Sequence, residues 1–444
     1  MKMSKRACMN CPVCNINLPI EKISSHVNGH FEEGVAGPSK KTCEYAGCSA
    51  VISTEAYHDH LLAHTLSNIE DGPSTASNNL NDSLLAKVSQ EEEDGSIRNG
   101  LNSLESDGLL AQRLQYVERK KKEEKEFKKL QEMYGMDNKG SYSKQFEKKM
   151  DRQVGRNVSV TDYFTRKANM HSEMMLGVDS YETRTQGIIE ALKHQNISGN
   201  IKSRCLCNST DHFSAAVGDS GWGCGYRNLQ MLLSAISKNE LYGNKLKEKF
   251  KDDEIPSVTK LQALIEEAWK DGFDKAGCEQ LGGKLQGTRK WIGTTEVVAL
   301  LRWAKINARI VDFHKPTSLE NTHVRLFEWL ESYFKQRNNE TTLPPFPLYL
   351  QHQGHSRLCI GCEEVDKADF KTQLLLFDPG HKYHAMRALL ANLNDHSKIP
   401  QLRMLRKTLK QMKSKQFQII FIDGFYETEA EVEAGKVIRS IRIP

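Results

Sequence analysis

From about residue 181 to residue 444 the sequence predicts an α+β domain with a mainly antiparallel sheet. Apolar residues recur at three- and four-residue spacing over 183–194, 224–237, 257–271, 295–306 and 323–335, the period of helices that bury one face. Ser257, for example, can cap a helix that buries Leu261, Leu264, Ile265 and Ala268. Short apolar runs at 308–313, 348–353, 358–365, 373–378 and 418–423 read as strands. Several follow one another across short connections, which disfavours a doubly wound parallel sheet.

The whole chain, 444 residues, is long enough for two or three domains. Its net charge of +5 forces no strongly basic surface, so composition does not argue for nucleic acid. No apolar run is long enough to span a bilayer. The first residues, Met1-Lys-Met-Ser-Lys-Arg6, lead into polar sequence rather than the apolar core of a secretory signal. The expectation is a soluble protein of nucleus and cytoplasm with no membrane partner. Its 11 cysteines are then better explained by metal binding or catalysis than by disulfides.

Residues 8–32 and 41–66 repeat one pattern. Cys11-x2-Cys14-x11-His26-x3-His30 is followed by Cys43-x4-Cys48-x11-His60-x3-His64. Two thiolates on a short turn and two imidazoles one helical turn apart can close a tetrahedral zinc site. A structural Zn2+ in each finger would supply much of the folding free energy of so small a unit. A DNA-reading finger carries basic and amide side chains at the front of its helix. Here Leu18-Pro19-Ile20-Glu21-Lys22-Ile23 and Ser53-Thr54-Glu55-Ala56-Tyr57 stand there, so direct nucleic-acid contact is the lesser reading. The first finger, Cys-Pro-Val-Cys with Leu-Pro before its histidines, resembles ubiquitin-binding zinc fingers.

Residues 67–104 are polar and poor in aromatics and read as a flexible linker. Over 105–136, mixed charges without Gly or Pro from 109 to 134 predict a long solvated helix. Leu110, Leu114, Val117, Phe127, Leu130 and Met133 give it a thin apolar stripe. Such a stripe serves docking on the chain's own domain, or a single-helix ubiquitin-interacting motif built on acidic residues and Leu-x-Ala-x-x-Leu-Gln. Residues 137–180, punctuated by Tyr142, Phe146, Tyr163 and Phe164, read as a helical arm, a further ubiquitin-binding candidate.

Within 181–444 the chemistry gathers around Gly218-Asp-Ser-Gly-Trp-Gly-Cys-Gly-Tyr-Arg-Asn228. Glycines make a turn before an apolar-periodic run, which places Cys224 in the first helical turn. Unpaired N–H groups and the helix dipole there favour thiolate over thiol. A buried structural cysteine in a Gly-rich turn would give a similar pattern. A cysteine nucleophile needs a base, and the base an orienting group. Leu348-Tyr-Leu-Gln-His-Gln-Gly-His-Ser-Arg357 supplies two histidines. Taken as one extended strand, it turns Gln351, Gln353 and His355 to one face and His352 to the other with Leu348 and Leu350. His355 then belongs to a polar cleft, where the amide of Gln351 or Gln353 can serve an oxyanion. Asp378 ends the strand Leu374-Leu-Leu-Phe-Asp378 beside a Pro-Gly turn, in reach of a neighbouring imidazole; a turn-starting Asp is its plainer reading.

Gly-Trp-Gly-Cys-Gly-Tyr-Arg-Asn, His-Gln-Gly-His-Ser-Arg and Phe-Asp-Pro-Gly together resemble the zinc-finger ubiquitin peptidases, whose domain is related to the peptidases of the ubiquitin-fold modifier. The resemblance covers roughly 105–444 well and the fingers loosely. It implies a papain-like fold and a thiol isopeptidase that cleaves polyubiquitin, with preference for lysine-63-linked and long chains. It implies Cys224 as nucleophile, His355 as base, Asp378 as orienting group and Gln351 as oxyanion donor, with no catalytic cofactor. Ubiquitin, polyubiquitin, replication protein A and other DNA-repair factors are the implied partners. The sequence departs from the relatives in two ways. It carries two fingers where relatives can carry more, and His381 follows Asp378-Pro379-Gly380 with one more glycine than the modifier peptidases have, which makes Cys224–Asp378–His381 the rival triad. A modifier peptidase and a non-catalytic ubiquitin-chain or nucleic-acid binder are the alternative functions.

Overall fold

A computed structural model describes residues 103–443 except 155–157, 180–181, 196, 198–199, 252–253, 319, 340–344, 367–370 and 395–401, together with four short strands ahead of them. Side chains are described from residue 115 onward. The chain divides into two units, 1–120 and 121–444.

In the first unit, β1 (Cys8–Asn10) pairs antiparallel with β2 (Asn17–Pro19), and β3 (Lys40–Thr42) with β4 (Val51–Ser53). Each cysteine pair of the repeat falls in sequence between the two strands of one hairpin. The eight metal-ligand candidates, Cys11, Cys14, His26, His30, Cys43, Cys48, His60 and His64, lie outside the described residues, as does the 67–102 part of the linker. Helix α1 (Ser103–Met133) crosses the boundary between the units. Of its apolar stripe, Val117, Phe127, Leu130 and Met133 are all exposed.

The second unit follows as α2 (Tyr142–Asp151), α3 (Val160–Leu176), β5 (Arg184–Thr185), α4 (Ile188–His194), β6 (Ile201–Leu206), β7 (His212–Phe213), α5 (Cys224–Ser237), α6 (Glu240–Phe250), α7 (Val258–Lys270), α8 (Lys275–Gln280), α9 (Thr294–Trp303) and β8 (Ile306–Phe313). It continues with α10 (Val324–Asn339), β9 (Leu348–His352), β10 (His355–Val365), β11 (Thr372–Phe377), α11 (Tyr383–Asn394), β12 (Arg406–Lys407), β13 (Phe417–Phe425), α12 (Glu429–Gly435) and β14 (Ser440–Ile443). The arm is thus two helices, each started by a serine that caps it: the Ser141 side chain accepts the Lys144 N–H and the Ser159 side chain that of Asp162.

One sheet of eight strands forms the centre, in the order β12-β11-β10-β9-β13-β8-β14, with β6 added to β10. Every pairing in it is antiparallel except β14 on β8. The α+β expectation with a mainly antiparallel sheet therefore holds. Strands β9, β10 and β11 are almost wholly buried along their apolar runs, because helix α5 packs on β9 and β10 and helix α10 on β6, β10 and β11. The sequence reading gave α5 one buried face. Instead all of Gly225–Ile236 is buried, so α5 is the central helix and even its polar side chains need partners inside.

A second correction concerns 348–357. The chain turns at Gln353-Gly354, Gly354 taking φ +80°, and β9 and β10 form a hairpin in which His352 pairs with His355 and Gln351 with Ser356. Directly paired residues of antiparallel strands project to the same face. His352 therefore shares the His355 side, and Gln351 shares a face with Tyr349 and Ser356, against the single-strand expectation.

Candidate active site

Helix α5 begins at Cys224 itself, with Gly223 as its N-cap and no side chain capping it. No side chain thus competes for the first N–H groups of the helix. The turn before it needs its glycines for definite reasons. Gly221 has φ +95°, a region closed to most side chains. A Cβ on Gly225 would stand 2.7 Å from the Ile292 carbonyl oxygen, so only glycine lets the 291–293 segment lie along the helix start.

Arg227 braces this turn from inside. Fully buried, its guanidinium is paired with Asp219, in the turn, and with Asp179. Asp219 in turn accepts the Ala216 N–H at 2.7 Å, and Gln230 binds Asp179 at 3.0 Å. Helix α2 holds the same loop from outside. Gln145 donates to the carbonyls of Val217 and Ser220 at 3.3 and 2.9 Å, and Lys149 donates to that of Ser220 at 3.3 Å.

At the start of β10 the His355 imidazole faces two partners. Its Nε2 lies 3.1 Å from both carboxylate oxygens of Asp378, at the end of β11, which leaves Nδ1 for the hydrogen bond to the Cys224 thiol. Burial pushes the His355 pKa down, but Asp378 and Cys224 together raise it to about 9. Burial likewise pushes the Cys224 thiol up, and the hydrogen bond and charge of His355, with hydrogen bonds from Ser356, bring it below its ordinary value. Asp378 is held well below the carboxylate range: burial opposes this, but His355, the Gly380 N–H at 2.8 Å and Arg357 at 2.7 Å outweigh it. Cys224 and His355 thus each favour the charged form of the other, thiolate beside imidazolium.

His381, the histidine of the rival triad, points elsewhere. Its ring stacks on His212 with centroids 6.3 Å apart, its backbone N–H donates to the Asp378 carbonyl at 2.9 Å, and its pKa is lowered, chiefly by burial. His212, also held neutral by burial, to about 4, has its Nε2 2.9 Å from the same carbonyl. The His212 ring and the His381 backbone thus hold the Asp378 carbonyl, and His355 takes the carboxylate. His352 accepts from Arg357 at 2.8 Å and is pushed down to about 4, by burial first and then by that guanidinium.

Gln351 lies on the face turned to the start of α5. Its amide is bounded by Gly293, where a Cβ would come within 3.2 Å of Nε2, and by Tyr349, whose hydroxyl donates to Oε1 at 3.5 Å. That hydroxyl also lies 3.3 Å from where a Gly225 Cβ would be, so Gln351 and the first N–H groups of α5 converge on one region beside the thiol. Of the four site candidates, Cys224, His355 and Asp378 form one hydrogen-bonded chain and Gln351 flanks its nucleophile end.

Sequence reasoning missed Asn228, Ser356 and Arg357. Asn228, one turn into α5 and fully buried, donates to the Cys224 carbonyl at 2.9 Å and to the Ser356 hydroxyl at 3.0 Å. Ser356, 2% exposed, hydrogen-bonds the thiol in turn. The only available signal was Arg227-Asn228, two costly polar residues inside an otherwise apolar helical run. Among the described residues no group of three His, Cys, Asp or Glu is arranged to hold a metal, and no helix is long and apolar enough to cross a membrane.

The family description "Peptidase family C78" matches residues 200–420, a span that contains all four candidates. The chain is 40% identical to zinc finger-containing ubiquitin peptidase 1 of Mus musculus over 372 residues, 79% of this chain and 63% of that protein. It has the same identity and coverage to the Homo sapiens protein of that name, so it spans somewhat under two thirds of the length of these relatives. To ubiquitin carboxyl-terminal hydrolase mug105 of Schizosaccharomyces pombe it is 33% identical over 235 residues, 51% of this chain and 88% of that one. Among solved structures, UfSP from C. elegans superposes with a TM-score of 0.34 at 16% identity, covering 54% of this chain and 37% of that chain.

Proposed function

The chain belongs to peptidase family C78 and is a cysteine peptidase; from that premise we propose that it is a deubiquitinase, a thiol isopeptidase acting on polyubiquitin. The observation that carries the catalytic reading is His355, hydrogen-bonded to the Cys224 thiol through one ring nitrogen and to Asp378 through the other. In this reading the Cys224 thiolate attacks the isopeptide carbonyl carbon, and the carbonyl π electrons move onto oxygen. The Gln351 amide and the N–H groups at the start of α5 stabilise that oxyanion. His355 gives its proton to the lysine nitrogen as the C–N bond breaks, leaving a thioester on Cys224. It then takes a proton from water, whose oxygen attacks the thioester; the C–S bond breaks, the carboxyl product leaves, and Cys224 is restored as the thiolate beside the protonated His355. Asp378 keeps the imidazole oriented throughout and stabilises it whenever it carries the proton.

The names of the relatives support ubiquitin as substrate. The exposed Val117, Phe127, Leu130 and Met133 of α1 support a docking role for that helix. Preference for lysine-63-linked and for long chains belongs to the same proposal, since separate weak sites along one chain add as effective concentration. So do Zn2+ in the fingers at the eight residues named above, replication protein A as a partner, and a nuclear and cytoplasmic location. The zinc would order the fingers and take no part in the cleavage.

The test is covalent capture. Ubiquitin bearing an electrophile at its C-terminus should form an adduct with the full chain and none with Cys224→Ala, and should outcompete the same probe made from the ubiquitin-fold modifier. Folded protein that reacts only with the modifier probe would overturn the substrate, and one that reacts with neither would overturn the activity. A panel of differently linked chains then reads the linkage preference.

A further inference from the structure

We propose that Cys205 and Cys362, remote in sequence and apart from the Cys224 site, form a reversible dithiol–disulfide site, oxidised by a peroxide and reduced by thiols. Cys205 is on β6 and Cys362 on β10, and the two are direct partners in the antiparallel register. The neighbouring pair is a hydrogen-bonded one, the Cys207 N–H donating to the Ile360 carbonyl at 2.8 Å, so alternation makes Cys205 and Cys362 a hydrogen-bonded pair too. Such partners have Cα atoms about 5.5 Å apart with both side chains on one face, inside the range a disulfide spans. Both thiols are free and hydrogen-bonded to one another.

The two sulfurs are unequal in the way a redox pair requires. Cys205 is half-buried on an edge strand that, among the described residues, pairs only with β10, so a small oxidant reaches it; Cys362 is buried. The hydrogen bond from Cys362 lowers the Cys205 thiol, and the Lys335 ammonium of α10 adds to this, against burial and the carboxylates of Glu331 and Glu364. Cys362 is raised, by that same hydrogen bond and by burial. A low-pKa, accessible thiolate beside a resolving thiol is the arrangement that oxidises selectively. Other cysteines of the domain lack it. Cys207 and Cys359 are buried and pushed up to about 12 by that burial, and Cys278 is also raised.

The chemistry closes without further reactants. The Cys205 thiolate attacks one oxygen of hydrogen peroxide, the O–O bond breaks, and the departing hydroxide takes a proton and leaves as water. The Cys362 sulfur then attacks the sulfur of the Cys205 sulfenic acid. The S–O bond breaks, and the Cys362 proton goes with that oxygen, which leaves as a second water. Two thiols have lost two electrons to one peroxide. A dithiol such as dithiothreitol restores them through a mixed disulfide, taking the oxidised form itself. The bond would tie the edge strand β6 to the strand whose first residue is His355.

The experiment is a peptide map of the folded full chain after limiting hydrogen peroxide, with free thiols alkylated and the digest kept non-reducing. We expect a Cys205–Cys362 linked peptide, two hydrogens lighter than the sum of its parts, formed before any oxidation of Cys207, Cys278 or Cys359 and removed by dithiothreitol. Cys362→Ser should stop at a Cys205 sulfenic acid that dimedone labels. Should that variant not fold, the wild-type map decides alone. Cys205 and Cys362 both recovered as alkylated thiols after Cys224 is fully oxidised, or Cys205 linked to another cysteine, would overturn the proposal.

Discussion

Replacing Asp378 by Asn keeps the shape of the site and removes one charge, and the structure says what that charge does. His355 stands at about 9 instead of 6.5 because carboxylate and thiolate outweigh its burial. The difference is on the order of 3 kcal/mol in favour of the imidazolium. In Asp378→Asn the Arg357 guanidinium, now 2.7 Å from the carboxylate, remains without its counter-charge beside the imidazole. It then disfavours the protonated ring, so His355 should fall to its ordinary value or below. Steady-state cleavage of a fluorogenic ubiquitin substrate, followed across the neutral and alkaline range, reads this directly. Wild-type activity should hold until pH approaches about 9 and fall above it, as His355 loses the proton owed to the leaving amine. In the variant that alkaline limb should move to neutrality or lower, with kcat down about 10²–10⁴-fold. Stability follows the same sign. A folded-state pKa raised above the unfolded value stabilises fully below about 6.5, and that contribution drains away as pH climbs through about 9. Urea denaturation should show this decline in the wild type and not in the variant. An alkaline limb still near 9 in Asp378→Asn, with less than about tenfold loss of rate, would refute the argument.

Ser356→Ala removes a hydrogen bond to a charged sulfur, worth about 1.5–3 kcal/mol. The inflection in the rate of Cys224 alkylation against pH should rise, and an unchanged inflection would count against a contact with the thiolate. Gly293→Ala puts a methyl group 3.2 Å from the Gln351 amide nitrogen, so kcat should fall by about tenfold or more while KM stays near its original value. His381→Ala should retain cleavage within a few-fold and His355→Ala should lose at least about 10²; the reverse order would restore the rival triad. Arg227→Met leaves Asp219 buried without its cation, and unfolding free energy in urea should drop by about 3–5 kcal/mol.

Much of this site was legible because its signals are local. Three glycines around one cysteine ahead of an apolar helical run require a tight turn and a helix start whatever the rest of the chain does. The strand leading to Asp378 carries the apolar run Leu374-Leu-Leu-Phe377 and is closed by Pro-Gly. Strand β6 was missed for the opposite reason. Its sequence, Ile-Lys-Ser-Arg-Cys-Leu, is mostly polar, and Arg204 is tolerated there only because Glu363, across the pair on β10, answers it at 2.8 Å. That ion pair spans a separation that no local pattern reports.

The hairpin at Gln353-Gly354 is the most instructive departure, since its signal was present: a glycine between two strand-forming runs. Read as one strand, 348–357 has a parity that puts Gln351 with His355 and sets His352 on the other face with Leu348 and Leu350. A two-residue turn breaks that parity, just as a one-residue slip would. Tyr349, Gln351 and Ser356 now share the face toward α5, where Asn228 and the thiol are. His352 and Arg357 share the other, where Arg357 reaches Asp378. Two separate polar sets therefore surround the pair, one solvating the sulfur and its oxyanion, the other fixing the charge behind the imidazole. They meet only at Cys224 and His355. Ser356→Ala should accordingly move the thiol's inflection and spare the alkaline limb of His355, while Asp378→Asn should move that limb first.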